Sequence, residues 1–245
     1  MRYFLSLFFV LFGLRVLSQW NVTTVEDFKN QLKLSEKIMG NQGNYSYRSL
    51  FSFYETFDSE IPALKYEGNL ISEYGKNIYL EQYGQIIVQD RNLNITIDTA
   101  YKSIAIQKSI PAYFYPRTSE DFQALSESNV VVKTNLSTNG KKFSLEFPKG
   151  GKYLGCELWF NEKNYLIKYI MYASQEIDNS NDIYESNYIQ PKLEITFFDF
   201  QFGTQVNLTK MRKVKDFLTI TGDKMVPVQE YADYQLQDLR IEINE

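Results

Sequence analysis

The sequence predicts a mainly β protein of the α+β class, on three observations. Apolar residues alternate with polar ones through most of the chain. One stretch near the start keeps a helical period instead. The 245 residues are 44% apolar and 16% aromatic, enough to build a sizeable core. Alternation of this kind means antiparallel pairing with one face buried and one wet, and a sheet of this breadth is expected to curl. The expected architecture is a curved antiparallel half-barrel of about ten strands, with an N-terminal helix and a short second helix covering the concave face.

In chain order, Thr23-x-x-Glu26 reads as a capping box, and Val25, Phe28, Leu32, Ile38 and Met39 follow near helical spacing. The helix should run from Thr24 to Met39 and stop at Gly40. From Tyr45 the period becomes two: Tyr45, Tyr47, Phe51, Phe53 and Phe57 share one parity, and Asp58-Ser59 with Pro62 turn the chain. Leu64, Tyr66 and Leu70 alternate with Lys65, Glu67 and Asn69. Strands over 78–83 and 86–88 follow, then Leu93, Ile95 and Ile97, then Ile104 and Ile106. Ser119-Glu120-Asp121-Phe122 starts the second helix, which should end near Ser126. Asn139-Gly140 is a strong hairpin signal between a strand at Val130, Val132 and Leu136 and its return at Phe143, Leu145 and Phe147. Two further hairpin strands carry Leu154, Cys156, Leu158 and Phe160, then Tyr165, Ile167, Tyr169 and Met171. After an acidic loop over 176–190, Leu193, Ile195 and Phe197 form another strand. The segment YADYQLQDLRIEI reads as a last one.

Composition excludes several chemistries. With no His, the Ser-His-Asp and Cys-His triads and His-liganded metal sites are ruled out. The single Cys156 cannot form an internal disulfide, and its apolar strand makes it a small core hydrophobe. A net charge of -4 gives no global field for nucleic acid. Asp178-x-Ser180-x-Asp182 begins like a calcium loop, but Ile183 and Ile189 stand where Gly and Glu are required. Glu157 has no evident carboxylate partner for glycoside hydrolysis, so the sequence assigns no catalytic residue, no metal and no cofactor. Five N-x-[ST] sequons, at Asn21, Asn44, Asn94, Asn135 and Asn207, occur in a chain rich in Asn, Ser and Thr and read as chance matches. The tyrosines spread over the strands and form no stacking platform.

Residues 1–18 read as a signal peptide: Arg2 precedes an apolar run from Tyr3 to Leu14, shorter than the roughly 20 residues a membrane span needs. The mature chain is then expected as one extracytoplasmic domain over 19–245, with an extension from about residue 204. No Cys lies near the cleavage point, so an acylated lipoprotein anchor is not expected.

Helix first, the meander YEGNLISEYGKNIYLEQYGQIIVQDRNLNITID, then YKSIAIQ, a short helix, more hairpins and PKLEITFFDFQF together resemble the LolA/LolB-like superfamily of periplasmic lipoprotein-carrier folds over residues 22 to 203. The resemblance implies helices capping a hydrophobic cavity, and acyl chains of lipids or lipoproteins as cargo. It places the chain in the periplasm. The best-known carriers also use an Arg to close the lid, and neither Arg48, Arg91 nor Arg117 aligns with it.

The inward parity residues Phe51, Phe53, Tyr66, Leu70, Ile95, Ile97, Phe143, Leu145, Leu158, Ile167 and Tyr169 are the cavity candidates, with Phe28 and Leu32 as lid contacts. Sequence alone leaves open whether these residues line a cavity or fill a core. Lys210, Arg212, Lys213 and Lys215 form the densest basic cluster, a candidate for docking on an envelope protein or an anionic membrane surface. The alternative to a lipid carrier is an envelope or secretion-associated interaction module with a filled core.

Overall fold

A computed structural model describes residues 20–109, 129–137, 139–148, 150, 153–173, 177–178, 188–222 and 224–240. The expected signal segment, the second helix and most of the acidic loop lie outside the described residues.

Thirteen strands form one mixed sheet, in the order β1 (Asn21–Thr23), β8 (Val131–Ser137), β9 (Gly140–Glu146), β10 (Tyr153–Phe160), β11 (Leu166–Ala173), β14 (Lys192–Phe202), β2 (Tyr45–Tyr54), β3 (Leu64–Glu73), β4 (Asn77–Gln82), β5 (Gln85–Gln89), β6 (Leu93–Asp98), β7 (Ser103–Lys108) and β17 (Gln235–Asp238). All neighbours are antiparallel except β17, which runs parallel to β7. Two small hairpins stand apart: β12 (Ile177–Asp178) with β13 (Tyr188–Ile189), and β15 (Leu218–Thr221) with β16 (Lys224–Pro227). The expected half-barrel of about ten antiparallel strands is therefore corrected to a larger, uncurled, mixed sheet.

The physical reason lies in which face each half buries. Helix α1 (Val25–Asn41) covers one face, here the front, over β8 to β11. Thr24 is its N-cap: the Thr24 hydroxyl accepts from the Asp27 amide at 3.0 Å, and the Asp27 carboxylate accepts from the Thr24 amide at 3.2 Å. The capping box is thus Thr24/Asp27, not Thr23/Glu26, because Thr23 still pairs in β1 and Thr24 is the residue that immediately precedes the first helical turn. The helix runs past the expected stop at Met39, and Gly43, with φ 76°, supplies the left-handed turn into β2. Phe28 and Leu32, 0% and 2% exposed, pack with Phe143, Leu145, Cys156, Leu158, Phe160 and Leu166. Each such buried side chain contributes about 2 to 3 kcal/mol.

On β4 to β7 the apolar parity points the other way. Tyr79 pairs with Val88, Val88 with Ile95, and Ile95 with Ile106, and all face the back. The C-terminal segment covers them. From residue 203 onward it runs through short 3-10 turns and the β15–β16 hairpin, laying Val206, Met211, Val214, Phe217, Leu218 and Tyr231 on that face. The exchange of sides occurs on β3, where Leu70 belongs to the front core and Ile71 to the back one, at 1% and 3% exposure. With each half roofed separately, the sheet needs no curl to bury its apolar residues.

The final strand is shorter than YADYQLQDLRIEI suggests: 229–231 form a 3-10 turn and only Gln235–Asp238 pair.

Candidate functional site

The eleven cavity candidates divide between the two faces. Phe51, Phe53, Tyr66, Leu70, Phe143, Leu145, Leu158 and Tyr169 share the front by register. Ile95 and Ile97 lie on the back, 0% exposed beneath the C-terminal segment. Ile167 falls in a register shift of β11, with no strand partner opposite it on β10. A single face lined by the whole set does not form, because parity within a strand does not say which side of the sheet a neighbouring strand will bury. Leu70, Phe143, Leu145 and Leu158 are at most 1% exposed. The lid candidates Phe28 and Leu32 are core contacts of the same cluster, Phe28 meeting Phe143 edge to face at 5.4 Å.

What the front leaves open lies on β2, β3 and the β4–β5 turn. Leu64, Tyr66 and Tyr83 are 51%, 38% and 40% exposed, beside the buried Phe51 and half-buried Phe53. Tyr83 holds φ 53° and Gly84 φ 69°, the two left-handed positions of a tight hairpin turn. An aromatic residue is rare in that conformation. Here it lets the Tyr83 ring fold onto Phe51 at 4.9 Å and Tyr66 at 4.4 Å, and burial among them raises the Tyr83 phenol. Gly68 permits this packing: a Cβ there would press on Ser49 Oγ and the Phe51 ring. The sequence signal for Tyr83 was the Tyr83-Gly84 dipeptide, at the end of the expected 78–83 strand.

A second feature centres on a bulge in β14. Phe198 pairs with Arg48 and Gln201 with Ser46, so Asp199 and Phe200 together oppose Tyr47. Asp199 takes φ 54° to make this possible. Its carboxylate accepts from Arg48 Nη1 at 3.3 Å, while Arg48 Nη2 donates to Glu67 at 2.5 Å and the guanidinium lies 5.1 Å over Phe198. The Glu67 carboxylate, with Asp199 behind it, holds the Arg48 guanidinium above its ordinary range. The bulge also reverses parity: Leu193, Ile195 and Phe197 face the front, and after it Phe202 does so as well. Phe200 and Phe202 stack with Tyr165 at 5.5 and 5.1 Å. Two grooves flank the bulge, one of about 900 Å³ past Arg48, Glu67, Glu81 and Lys210, and one of about 620 Å³ past Asn161, Tyr165 and Phe202. Phe200 and Gln205 line both.

The basic cluster is not a uniform patch. Arg212 donates to the Tyr231 hydroxyl at 2.9 Å and to Glu230 at 3.2 Å, and stacks over Phe217 at 4.2 Å, so it ties the C-terminal segment together. Lys213 stands 3.9 Å from Glu73, Lys210 lines the larger groove and Lys215 is exposed. Glu157 accepts from Trp159 Nε1 at 3.0 Å and from the Tyr172 hydroxyl at 3.1 Å, a structural use of that carboxylate. Asn135 is 3% exposed, which leaves no room for a glycan in the folded state. Among the described residues no group of three or more acidic or Cys side chains stands close enough to hold a metal ion, and no helix is long and apolar enough to cross a membrane.

No family model and no curated protein matches the chain. Solved structures to which it is similar include an uncharacterised conserved protein from Thermus thermophilus, at 8% identity over 86% of this chain and 99% of that one, with a TM-score of 0.43. A LolA superfamily protein from Nitrosomonas europaea is similar at 12% identity over 71% and 93%, with a TM-score of 0.30. A putative outer membrane lipoprotein-sorting protein domain from Vibrio parahaemolyticus is similar at 10% identity over 76% and 96%, with a TM-score of 0.29. The structural neighbours of this mainly β chain thus include LolA superfamily and lipoprotein-sorting proteins.

Proposed function

We propose that the chain is a non-enzymatic envelope protein, exported to the periplasm by its N-terminal segment, that binds acyl chains of lipids or lipoproteins on the open front strip. The observation that carries this reading is the contiguous exposure of Leu64, Tyr66 and Tyr83 beside Phe51 on the face that α1 roofs elsewhere. Exposed apolar residues are ordinary singly, but a contiguous group of large ones marks an interaction site. The strained Tyr83 backbone supports the same reading, since such strain persists where it serves function. The chain would lie on the strip rather than between helix and sheet, because Phe28, Leu32, Phe143 and Leu158 already fill that space. A saturated chain of about 16 carbons with half its surface covered gains roughly 6 kcal/mol, at about 0.4 kcal/mol per methylene. Part of that gain is lost to the entropy of association, which keeps binding weak enough for release.

The test is uptake of a fluorescent fatty acid together with native mass spectrometry of protein purified from its own host. Tyr66→Asp places a charge on an exposed strip residue and should cut uptake at least tenfold with an unchanged thermal melt. Wild-type protein that takes up no fatty acid and carries no lipid would remove the proposal.

A second reading, a docking module with a filled core, is favoured by the near-zero exposure of Ile95, Ile97, Phe143 and Leu158. Charge reversal at Lys213 and Lys215 should then abolish partner capture and leave fatty-acid uptake intact.

A further inference from the structure

We infer that the two grooves flanking the β14 bulge form one binding site for a neutral sugar chain, separate from the front strip. The bulge is the origin of the site. Two residues opposite one push Asp199 and Phe200 out of the ladder, and the left-handed Asp199 backbone is the kind of local strain that is retained at binding sites. Gly203, at φ 58°, turns the chain just beyond, and its amide donates to the Asn44 carbonyl at 2.8 Å. This anchors the 3-10 turn that ends at Gln205, where the two grooves meet.

The groove chemistry selects the ligand class. The larger groove carries both acceptors and donors: Glu67, Glu81 and Asp199 supply carboxylates, Arg48 bridges Glu67 and Asp199, Lys210 donates, and Asn69 and Gln201 do both. Charges of both signs line the groove, and the Arg48 guanidinium is already neutralised by Glu67 and Asp199, so no free anion is called for there. A chain of hydroxyl groups, each donor and acceptor at once, satisfies such a lining. Among the described residues the side-chain amides of Asn69, Gln201 and Gln205 have no protein partner, although all three face the groove. One oxygen of Glu81 already accepts from the Tyr79 hydroxyl at 2.8 Å, which fixes the direction of the other.

The smaller groove adds the apolar half of sugar recognition. Tyr165, Phe200 and Phe202 stack along it, with the Phe200 and Phe202 rings 9° from parallel at 6.4 Å. Ring faces of this kind cover the C–H face of a pyranose, while Asn161, whose side-chain oxygen accepts from the Lys163 and Tyr165 amides at 3.0 Å each, lines the same groove and keeps its NH₂ as a donor. Each groove, at about 900 and 620 Å³, is within the range of small-molecule sites; Phe200 and Gln205 line both, the larger lying with Arg48, Glu67 and Asn69 on the back and the smaller with Phe202 on the front.

The test is a titration of the full chain with maltohexaose, cellohexaose, chitohexaose and a linear mannan, followed by calorimetry and by amide chemical shifts. At least one glycan should bind saturably, with shifts concentrated over 199–207 and 161–165. Gln205→Ala, an exposed substitution at the junction, should weaken that glycan at least fivefold with an unchanged melt. Phe200→Leu, which keeps an apolar side chain and removes the ring, should weaken it as well. Absence of saturable binding at millimolar glycan, or binding that Gln205→Ala and Phe200→Leu leave unchanged, would overturn the inference. So would shifts confined to Tyr66 and Tyr83. Fatty-acid uptake by the same variants should be intact, which separates failure of this site from failure of the front strip.

Discussion

Replacing Phe217 by Ala tests the claim that the C-terminal segment is a structural roof and not an appended tail. Phe217 is 0% exposed, its ring lies 5.4 Å from Tyr231, and the Arg212 guanidinium stacks on it at 4.2 Å. Truncating a buried Phe to Ala costs about 3 to 5 kcal/mol through lost transfer energy and the cavity left behind. The stacked cation adds about 1 kcal/mol of attraction that has no replacement once the ring is gone. A midpoint of about 4 kcal/mol lowers the melting temperature by roughly 8 to 16 °C for a chain of this size. Thermal and urea unfolding followed by circular dichroism measure it, and Phe217→Leu should recover more than half of the loss. The reasoning fails if Phe217→Ala melts within roughly 2 °C of wild type. It fails equally if a chain ending at residue 203 unfolds cooperatively without exposing apolar surface to a dye, since Ile95, Ile97, Ile104 and Ile106 would then need no cover.

Cys156 is buried, and desolvation, with Glu157 adding to it, pushes its thiol up to about 12. At pH 8 only about one molecule in ten thousand carries the thiolate, so maleimide or disulfide reagents should label it in denaturant and scarcely at all in the native state. Hydrogen bonds from Thr23 and Thr24 hold the Asp27 carboxyl below its ordinary range. A depressed folded-state value means that this contribution is complete above the unfolded carboxyl value and is lost as pH falls through the folded one. Thr24→Ala should therefore lower the melting temperature by a few degrees at neutral pH, and the gap should narrow below pH 4, which a pH series of melts will show.

Local patterns were legible and their assembly was not. The alternation of Leu93, Ile95 and Ile97 marks β6 within one residue of its observed bounds, and Asn139-Gly140 marks the β8–β9 hairpin, because turn chemistry and a two-residue period are properties of adjacent residues. That Phe51 faces the front while Ile97 faces the back depends on pairings between strands tens of residues apart. The alternation within each strand is identical in either case. The bulge at Asp199 was written in FFDFQF as a break in parity, yet only the partner strand shows that two residues there oppose one. The basic cluster read as a patch because Lys210 to Lys215 are close in sequence, and its division follows from Tyr231 and Glu230, which reach Arg212 from almost twenty residues away.

Leu70 and Ile71 are sequence neighbours that serve opposite cores. The molecule is thus two sandwiches sharing one middle slice, and β3 is the seam. Mechanical or thermal disturbance of either roof reaches the other through this strand. Loosening the Ile71 side should lower hydrogen-exchange protection in α1 as well as in β6, which a fold with one roof would not do.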